Sequence, residues 1–456
     1  MERKILHDLK TWLHDPNRLP LVLRGARQVG KTWVVRYFAE KMGLKLLELN
    51  FERDTHLKSL FTHNDPHRTL LQLETFFNHS IDPSSSLLFL DEIQAAPELL
   101  AKLRWFAEEL PELAVIATGS LLDFILEDHS FSMPVGRISY LHLEPMSFEE
   151  FLVGVDENKL CEFLSQYQLK DTIPEALHHR LLPFLREYIL IGGLPAVVKN
   201  WTQNKSLISV RKIQQDILSA YRDDFAKYAK RISHERLEEI FKAVPRLIGK
   251  KFKYSTVNPE IQSIAVKKAL NLLCKAKVCH KVHAVSGDGI PLVSTIKEKV
   301  FKVILLDTGL VSAAIGLTLS DMTQMNEINL INQGSISEQL IGQLLRTIYP
   351  RFMEPDLFYW IREIPGSEAE IDYLIQHQIH LVPIEVKSGT TGRLKSLHAF
   401  MKLRKLEKAI RFNTDYPSVI EIKAEKESDQ KFSYQFISLP FYLAEQISRL
   451  LNSHFT

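Results

Sequence analysis

Residues 25–32 read Gly-Ala-Arg-Gln-Val-Gly-Lys-Thr, the pattern G-x-x-x-x-G-K-[ST], and the apolar run Leu19–Leu23 precedes them as a buried strand would. Such a loop is built to hold phosphate. Glycines at 25 and 30 let the backbone turn tightly, so that the N–H groups of Gly25, Ala26, Arg27, Gln28, Val29 and Gly30 face phosphate oxygens. A helix starting near Gly30 adds the positive end of its dipole. Lys31 would reach the β and γ phosphates, and Thr32 would offer its hydroxyl to Mg²⁺. Four apolar residues, Leu87–Leu90, then run into Asp91 and Glu92. Asp91 would hold the Mg²⁺ through water, while Glu92 would orient or deprotonate the attacking water. A third run, Leu113–Ala117, ends in Thr118-Gly119-Ser120, where Ser120 is the candidate to sense a γ-phosphate. Strand, phosphate loop, strand, acidic strand and polar-tipped strand come in the order a nucleotide-binding α/β sheet needs. The bland alternative is a glycine turn plus a surface acidic pair.

A second set of charged residues lies near the other end. Asp372 falls in one apolar stretch and Glu385-Val386-Lys387 ends the next. Strand residues two apart share a face, so Glu385 and Lys387 project together. A hairpin would add Asp372 to them, with Glu338 on the preceding helix as a fourth candidate. Two carboxylates can bind Mg²⁺ or Mn²⁺, and a nearby lysine can position the water that attacks a phosphodiester. This is the arrangement of restriction-endonuclease-like nucleases. Three readings stay open: an active nuclease, the same fold used only to bind or dock, and a hairpin with solvated charges.

These residues need elements to position them. At 456 residues the chain is too long for one ordinary core, and 45% hydrophobic with 25% charged residues is the composition of a soluble globular protein. Residues 1–18 read as a helix, and strands are expected at Leu19–Gly25, Leu44–Phe51, Leu87–Glu92, Leu113–Thr118 and Tyr140–Leu143. A helical region follows to about Tyr228, broken by Gly192-Gly193-Leu194-Pro195, which reads as a tight helix–helix turn. Helices are then expected at His234–Ile248, Thr256–Gln262 and Ser263–Leu273, with a ribbon of Val278–Val285 and Val300–Leu306. That order is a winged helix. The last part reads α/β, with a helix at Ser337–Ile348, strands at Phe358–Ile361, Glu370–Ile375 and Leu381–Val386, and a helix at Arg393–Lys405. The divisions are therefore 1–150, 151–232, 233–325 and 326–456.

The net charge of +2 conceals an asymmetry, because residues 241–302 hold 13 Lys/Arg against 3 Asp/Glu. A basic winged helix suggests nucleic acid, DNA above all, with Lys267, Lys268 and Lys275 on the helix that would enter a groove. A solvated lysine-rich face or a contact with an acidic protein are the alternatives. Three cysteines, Cys161, Cys274 and Cys279, suit a reducing cytoplasm, and Cys274, Cys279 and His280 lack the second pair a zinc site needs. No signal peptide is expected from the first residues. The apolar stretch Val300–Leu319 contains Lys302 and Asp307, which argues against a membrane span.

Taken together, the motifs resemble bacterial and archaeal AAA-type ATPases that carry a C-terminal domain of unknown function. The matching segments are residues 24–32, Leu90-Asp91-Glu92-Ile93-Gln94, Thr118-Gly119-Ser120, Pro134-Val135-Gly136-Arg137 and residues 143–151. Phe301-Lys302-Val303, Leu306-Asp307-Thr308-Gly309-Leu310, Glu370-Ile371-Asp372 and residues 383–389 extend the resemblance. It implies an α/β chain with an AAA-like P-loop domain, a helical lid, a winged-helix segment and a restriction-endonuclease-like C-terminal α/β domain. It also implies ATP as the nucleotide, and Arg137 as an arginine finger, against a loop-closing salt bridge as the plain alternative. A finger acting on a neighbouring subunit would require a homo-oligomer. The expectation is an ATP-hydrolysing switch coupled to DNA binding. Its rivals are an ATP-regulated, metal-dependent nuclease and a docking module for protein partners.

Overall fold

The computed structural model describes residues 2–120, 122, 134, 136–225, 232–317, 333–365, 367–387, 394–424 and 432–455. Val135, Ser388 and Gly389 of the motifs above lie outside them, as does Tyr228. The chain divides into two compact units: Met1–Glu144 with Lys275–Lys277 and Tyr349–Glu354, and the remainder.

The first unit is a five-stranded sheet of β1 (Leu21–Arg24), β2 (Lys45–Asn50), β3 (Ser86–Asp91), β4 (Ala114–Thr118) and β5 (Ser139–His142). Their order is β2-β3-β4-β1-β5, with every pairing parallel. β3 and β4 are buried along their whole length, as their near-continuous apolar sequence requires of a parallel sheet covered on both faces. Helices Lys31–Met42, Pro66–Phe77 and Glu98–Glu109 are among the connections. The register sets Asn50 opposite Asp91 and Leu23 opposite Thr118, so the polar residues that end these strands gather along one edge. Ligands in open α/β sheets bind outside that edge. On the outer strand β5, the N–H of His142 donates to the carbonyl of Arg351 at 2.7 Å, and Arg351 pairs with Asp8 at 3.0 Å.

The second unit begins with helices, the first at Phe148–Gly154, entered through a Ser147–Glu150 capping box. The Gly192–Gly193 break joins helices Glu175–Ile191 and Pro195–Asn204, as the sequence indicates. Helices His234–Leu247 and Ser263–Lys275 also form, but Thr256–Gln262 does not: the helix there spans only Tyr254–Val257. Asn258 is extended, at φ −158°, because Pro259 disfavours helical backbone in the residue before it. β6 (Cys279–Val285) and β7 (Ile296–Leu305) make the expected ribbon. The ribbon does not stand apart: β6 also pairs in parallel with β8 (Leu357–Arg362). One eight-stranded mixed sheet results, completed by β9 (Ala369–His377), β10 (His380–Val386), β11 (Lys408–Asn413), β12 (Ser418–Ala424) and β13 (Phe432–Pro440), in the order β12-β13-β11-β10-β9-β8-β6-β7.

A buried carboxylate ties this unit together. Asp307 is fully buried, and its oxygens accept from Gly193 N at 2.6 Å, Leu310 N at 3.1 Å and Gln343 Nε2 at 3.2 Å. Burial pushes it up to about 6, although each of those bonds pulls the other way. The backbone comes so close that a Cβ at Gly192 would strike Asp307, and one at Gly193 would strike the carbonyl of Met146. Gly193→Ala is therefore expected to lose about 2–4 kcal/mol of stability, from overpacking and a strained hydrogen bond. Gly289→Ala, where a Cβ meets nothing, serves as the neutral control. The check is the urea midpoint of each variant; equal midpoints would contradict the packing argument.

Candidate nucleotide site and a buried carboxylate cluster

The loop between β1 and the helix Lys31–Met42 takes the backbone that phosphate binding requires. Gly30 sits at φ 94° and Gln28 at φ 71°, left-handed geometry that turns successive N–H groups the same way. Lys31, only 8% exposed, folds back so that its Nζ donates to the carbonyls of Gly25 at 3.0 Å and Ala26 at 2.8 Å. Burial pushes its ammonium down to about 8, against the pull of Glu92 and Asp91.

Asp91 is the hub. It is 2% exposed and accepts from Thr32 Oγ1 at 3.2 and 3.3 Å, Asn50 Nδ2 at 3.0 Å and Thr118 Oγ1 at 2.5 Å. A hydroxyl beside a carboxylate is an oxygen donor set suited to a hard divalent cation such as Mg²⁺. Glu92 leaves the strand in a left-handed conformation, φ 53°, with its carboxylate held by Gln94 Nε2. A non-glycine residue in that region is uncommon and clusters at functional sites.

Thr118, rather than Ser120, is the β4-end residue bonded to Asp91. Arg137 is engaged with Glu108, Nε to Oε1 at 2.6 Å, with its side chain 49% exposed. Sequence reasoning missed two participants. Asn50 ends β2 as Asp91 ends β3, and a lone polar residue closing an apolar strand was the available signal. Arg3, 4% exposed, donates to the carbonyl of Val29 at 3.0 Å and of Glu144 at 2.8 Å, bracing the loop from a stretch with no motif.

The second candidate set is brought together, but around a cation of the chain's own. β9 and β10 pair antiparallel, with Tyr373 opposite Ile384, and Asp372 Oδ2 accepts from Val386 N at 2.7 Å. Lys387 pairs with Glu385 at 2.5 Å. Between them and the helix Gln333–Thr347 stands Lys302 of β7, 2% exposed, its Nζ 3.0 Å from Glu338, 2.5 Å from Glu370 and 3.8 Å from Asp372. Burial would depress Lys302, but Glu338, Asp372 and Glu370 more than reverse that and hold it charged. Burial, with the charge of Asp372, pushes Glu338 up to about 8 and Glu385 up to about 7. Among the described residues no group of three or more His, Cys, Asp or Glu is arranged to hold a metal ion. Glu338 and Asp372 of that set thus pair with Lys302, while Glu385 pairs with Lys387.

Lys302 also leaves the expected basic face, since it is internal. Lys251 pairs with Glu363 at 2.6 Å and Lys242 with Glu238 at 2.7 Å. Lys267 and Lys268 on the helix Ser263–Lys275 are exposed, as are Lys297 and Lys299 on β7. No helix among the described residues is long and apolar enough to cross a membrane.

Residues 17–152 match a family model described as an AAA domain. Residues 183–321 and 333–442 match two domains of unknown function, DUF8612 and DUF4143. Solved structures with some likeness include RuvB of Thermotoga maritima, 12% identical over 61% of this chain and 88% of that one, with a TM-score of 0.30. Another is the ORC2 protein of Aeropyrum pernix in complexes with ADPNP and ADP, 10% identical over 71% of this chain and 95% of that one, with a TM-score of 0.32. No curated protein sequence matches the chain.

The lowered Lys31 gives the loop a pH signature. Between about 8 and 10.5 the unfolded chain holds this proton and the folded chain does not, so the Lys31 contribution to stability rises with pH across that window. A bound polyphosphate favours the charged form and restores the proton. Nucleotide binding at about pH 9 should therefore take up roughly one proton, and at about pH 7 almost none. Calorimetry in buffers of different ionisation enthalpy reads this directly; a binding heat independent of buffer at the higher pH would refute it.

Proposed function

We propose that this chain, a P-loop protein with an AAA domain and a C-terminal DUF4143 domain, hydrolyses ATP with Mg²⁺ and couples its nucleotide state to DNA binding. The observation that carries the reading is the buried Asp91 with Thr32, Asn50 and Thr118 bonded to it at the strand ends, next to the Lys31 loop. Thr32 and Asp91 would hold the Mg²⁺, which would neutralise charge on the phosphates when bound. Lys31 would exchange the carbonyls of Gly25 and Ala26 for phosphate oxygens. Glu92, set off the strand by its left-handed backbone, would position and deprotonate the water. Thr118, with Ser120 beyond it, would register the γ-phosphate. Arg137 would stabilise charge on the transferring group, and its exposure beside Glu108 favours delivery to a neighbouring copy in a homo-oligomer.

The DNA contact would fall on the exposed Lys267, Lys268, Lys297 and Lys299 of the segment 241–302. Three cysteines outside any disulfide are compatible with a cytoplasmic setting. The metal-dependent nuclease alternative has Lys302 against it, since that ammonium already neutralises the carboxylates a metal would need.

Lys31→Ala is expected to abolish ATP binding, whereas Glu92→Gln should keep binding and lose turnover by about 10²-fold or more. Steady-state phosphate release together with fluorescent-nucleotide titration separates the two; full turnover by the Lys31 variant would overturn the site. DNA affinity should fall steeply with added salt, and Lys267→Ala with Lys268→Ala should reduce the log–log salt slope by about 2. Binding that ignores salt, or a slope unchanged in the double variant, would move the contact elsewhere.

A further inference from the structure

The helix Ser263–Lys275 ends in a turn that brings two thiols together. Lys277 takes left-handed backbone, φ 59°, and Val278 N donates back to the carbonyl of Leu273 at 3.1 Å. A six-to-one bond closed over a left-handed residue is the Schellman helix stop. It sets Cys279, the first residue of β6, against Cys274 in the last turn of the helix. β6 is held from its other side as well: Cys279 lies opposite Leu305 of β7, and Leu306 N donates to the carbonyl of Val278 at 2.9 Å. The backbone is thus anchored on both sides of the turn, and the two Sγ atoms stand 3.7 Å apart. A disulfide bond is about 2.05 Å long, so roughly 1.7 Å remains to be closed. The thiols differ in access, since Cys279 is fully buried and Cys274 is partly exposed. The hydrogen bond with Cys274 and burial push the Cys279 thiol up, against the pull of Lys281, so it keeps its proton. An oxidant arriving from solvent therefore meets Cys274 first.

We propose that Cys274 and Cys279 are a redox-active dithiol that a hydroperoxide converts to an intrachain disulfide, Cys274 being oxidised first and Cys279 resolving it. In the first step the Cys274 thiolate attacks one oxygen of hydrogen peroxide, the O–O bond breaks, and the other oxygen leaves as hydroxide. Cys274 is then a sulfenic acid. In the second step the Cys279 sulfur attacks Cys274 Sγ. The S–S bond forms as the S–O bond breaks, and the hydroxyl leaves with the Cys279 proton as water. The dithiol loses two electrons and two protons in all, and the peroxide becomes two waters. The new bond ties the last turn of the helix that carries Lys267 and Lys268 to the first residue of the β6–β7 ribbon. In a reducing compartment such a bond is transient, which suits a sensor rather than a structural staple.

The test treats the full-length chain with a small molar excess of hydrogen peroxide, alkylates the remaining thiols and digests with trypsin without reduction. The expected product is residues 269–275 joined to residues 278–281, lighter than the two free peptides by about two hydrogen masses and separated again by dithiothreitol. Thiol titration of the denatured chain should fall from three per chain to about one. In Cys279→Ala the oxidation should stop at the Cys274 sulfenic acid, so dimedone should label Cys274 there and leave it unlabelled in the wild type. Unlinked peptides would overturn the proposal, as would Cys274 carried on to the sulfinic acid beside a reduced Cys279, or a disulfide made to Cys161 instead. Equal dimedone labelling of Cys274 in both chains would also overturn it, since Cys279 would then resolve nothing. Should Cys279→Ala fail to fold by circular dichroism, the wild-type peptide map decides alone: linked peptides support the dithiol and unlinked ones refute it. None of these readouts involves nucleotide, so a failure here is distinguishable from a failure of the ATP site.

Discussion

The Asp91 carboxylate, 2% exposed at the end of an apolar strand, has to find its partners inside the protein. That requirement orders the first unit. Thr32 must come from the helix after the phosphate loop, Asn50 from β2 and Thr118 from β4, and they reach one side chain because three parallel strands end in step. Loop and sheet are therefore one device. The hydroxyls, amide and carboxylate hold one another in place at the strand ends.

The second unit answers the same constraint with other groups. Asp307 has no cation partner among the described residues and accepts from N–H donors of the Gly193 break, the following helix and Gln343. Lys302 is met by carboxylates from two elements. Both lie on one continuous stretch, β7 and the turn after it, so the strand that carries the ribbon also carries the two buried charges that fix its neighbours. β7 is thus a structural spine of the second unit.

What could be read from residues alone follows from the range of the interaction. The phosphate loop, the acidic strand end and the Gly192–Gly193 break are local patterns, and they appear where their spacing puts them. The hairpin of β9 and β10 was likewise legible, since alternation and a short turn set it. Asn50 and Arg3 were not, because their roles depend on strand register and on residues 41 and 141 positions away along the chain. Lys302 was misread as part of a basic surface. Its apolar neighbours Phe301 and Val303 were the warning, but burial of an alternating strand on both faces is a property of the assembled sheet. Thr256–Gln262 failed as a helix for a local reason, Pro259, which weighed less than it should have.

The first unit is not continuous in sequence. Tyr349–Glu354 belongs to it, and through Arg351 it satisfies the backbone of β5, the outermost strand of the parallel sheet. An AAA domain cut at residue 152 would keep every nucleotide ligand yet expose an unpaired strand edge, the surface on which chains self-associate. The family-matched segment, residues 17–152, and the compact unit do not coincide. A transplanted ATPase portion would need Lys275–Lys277 and Tyr349–Glu354 as well to carry the whole compact unit.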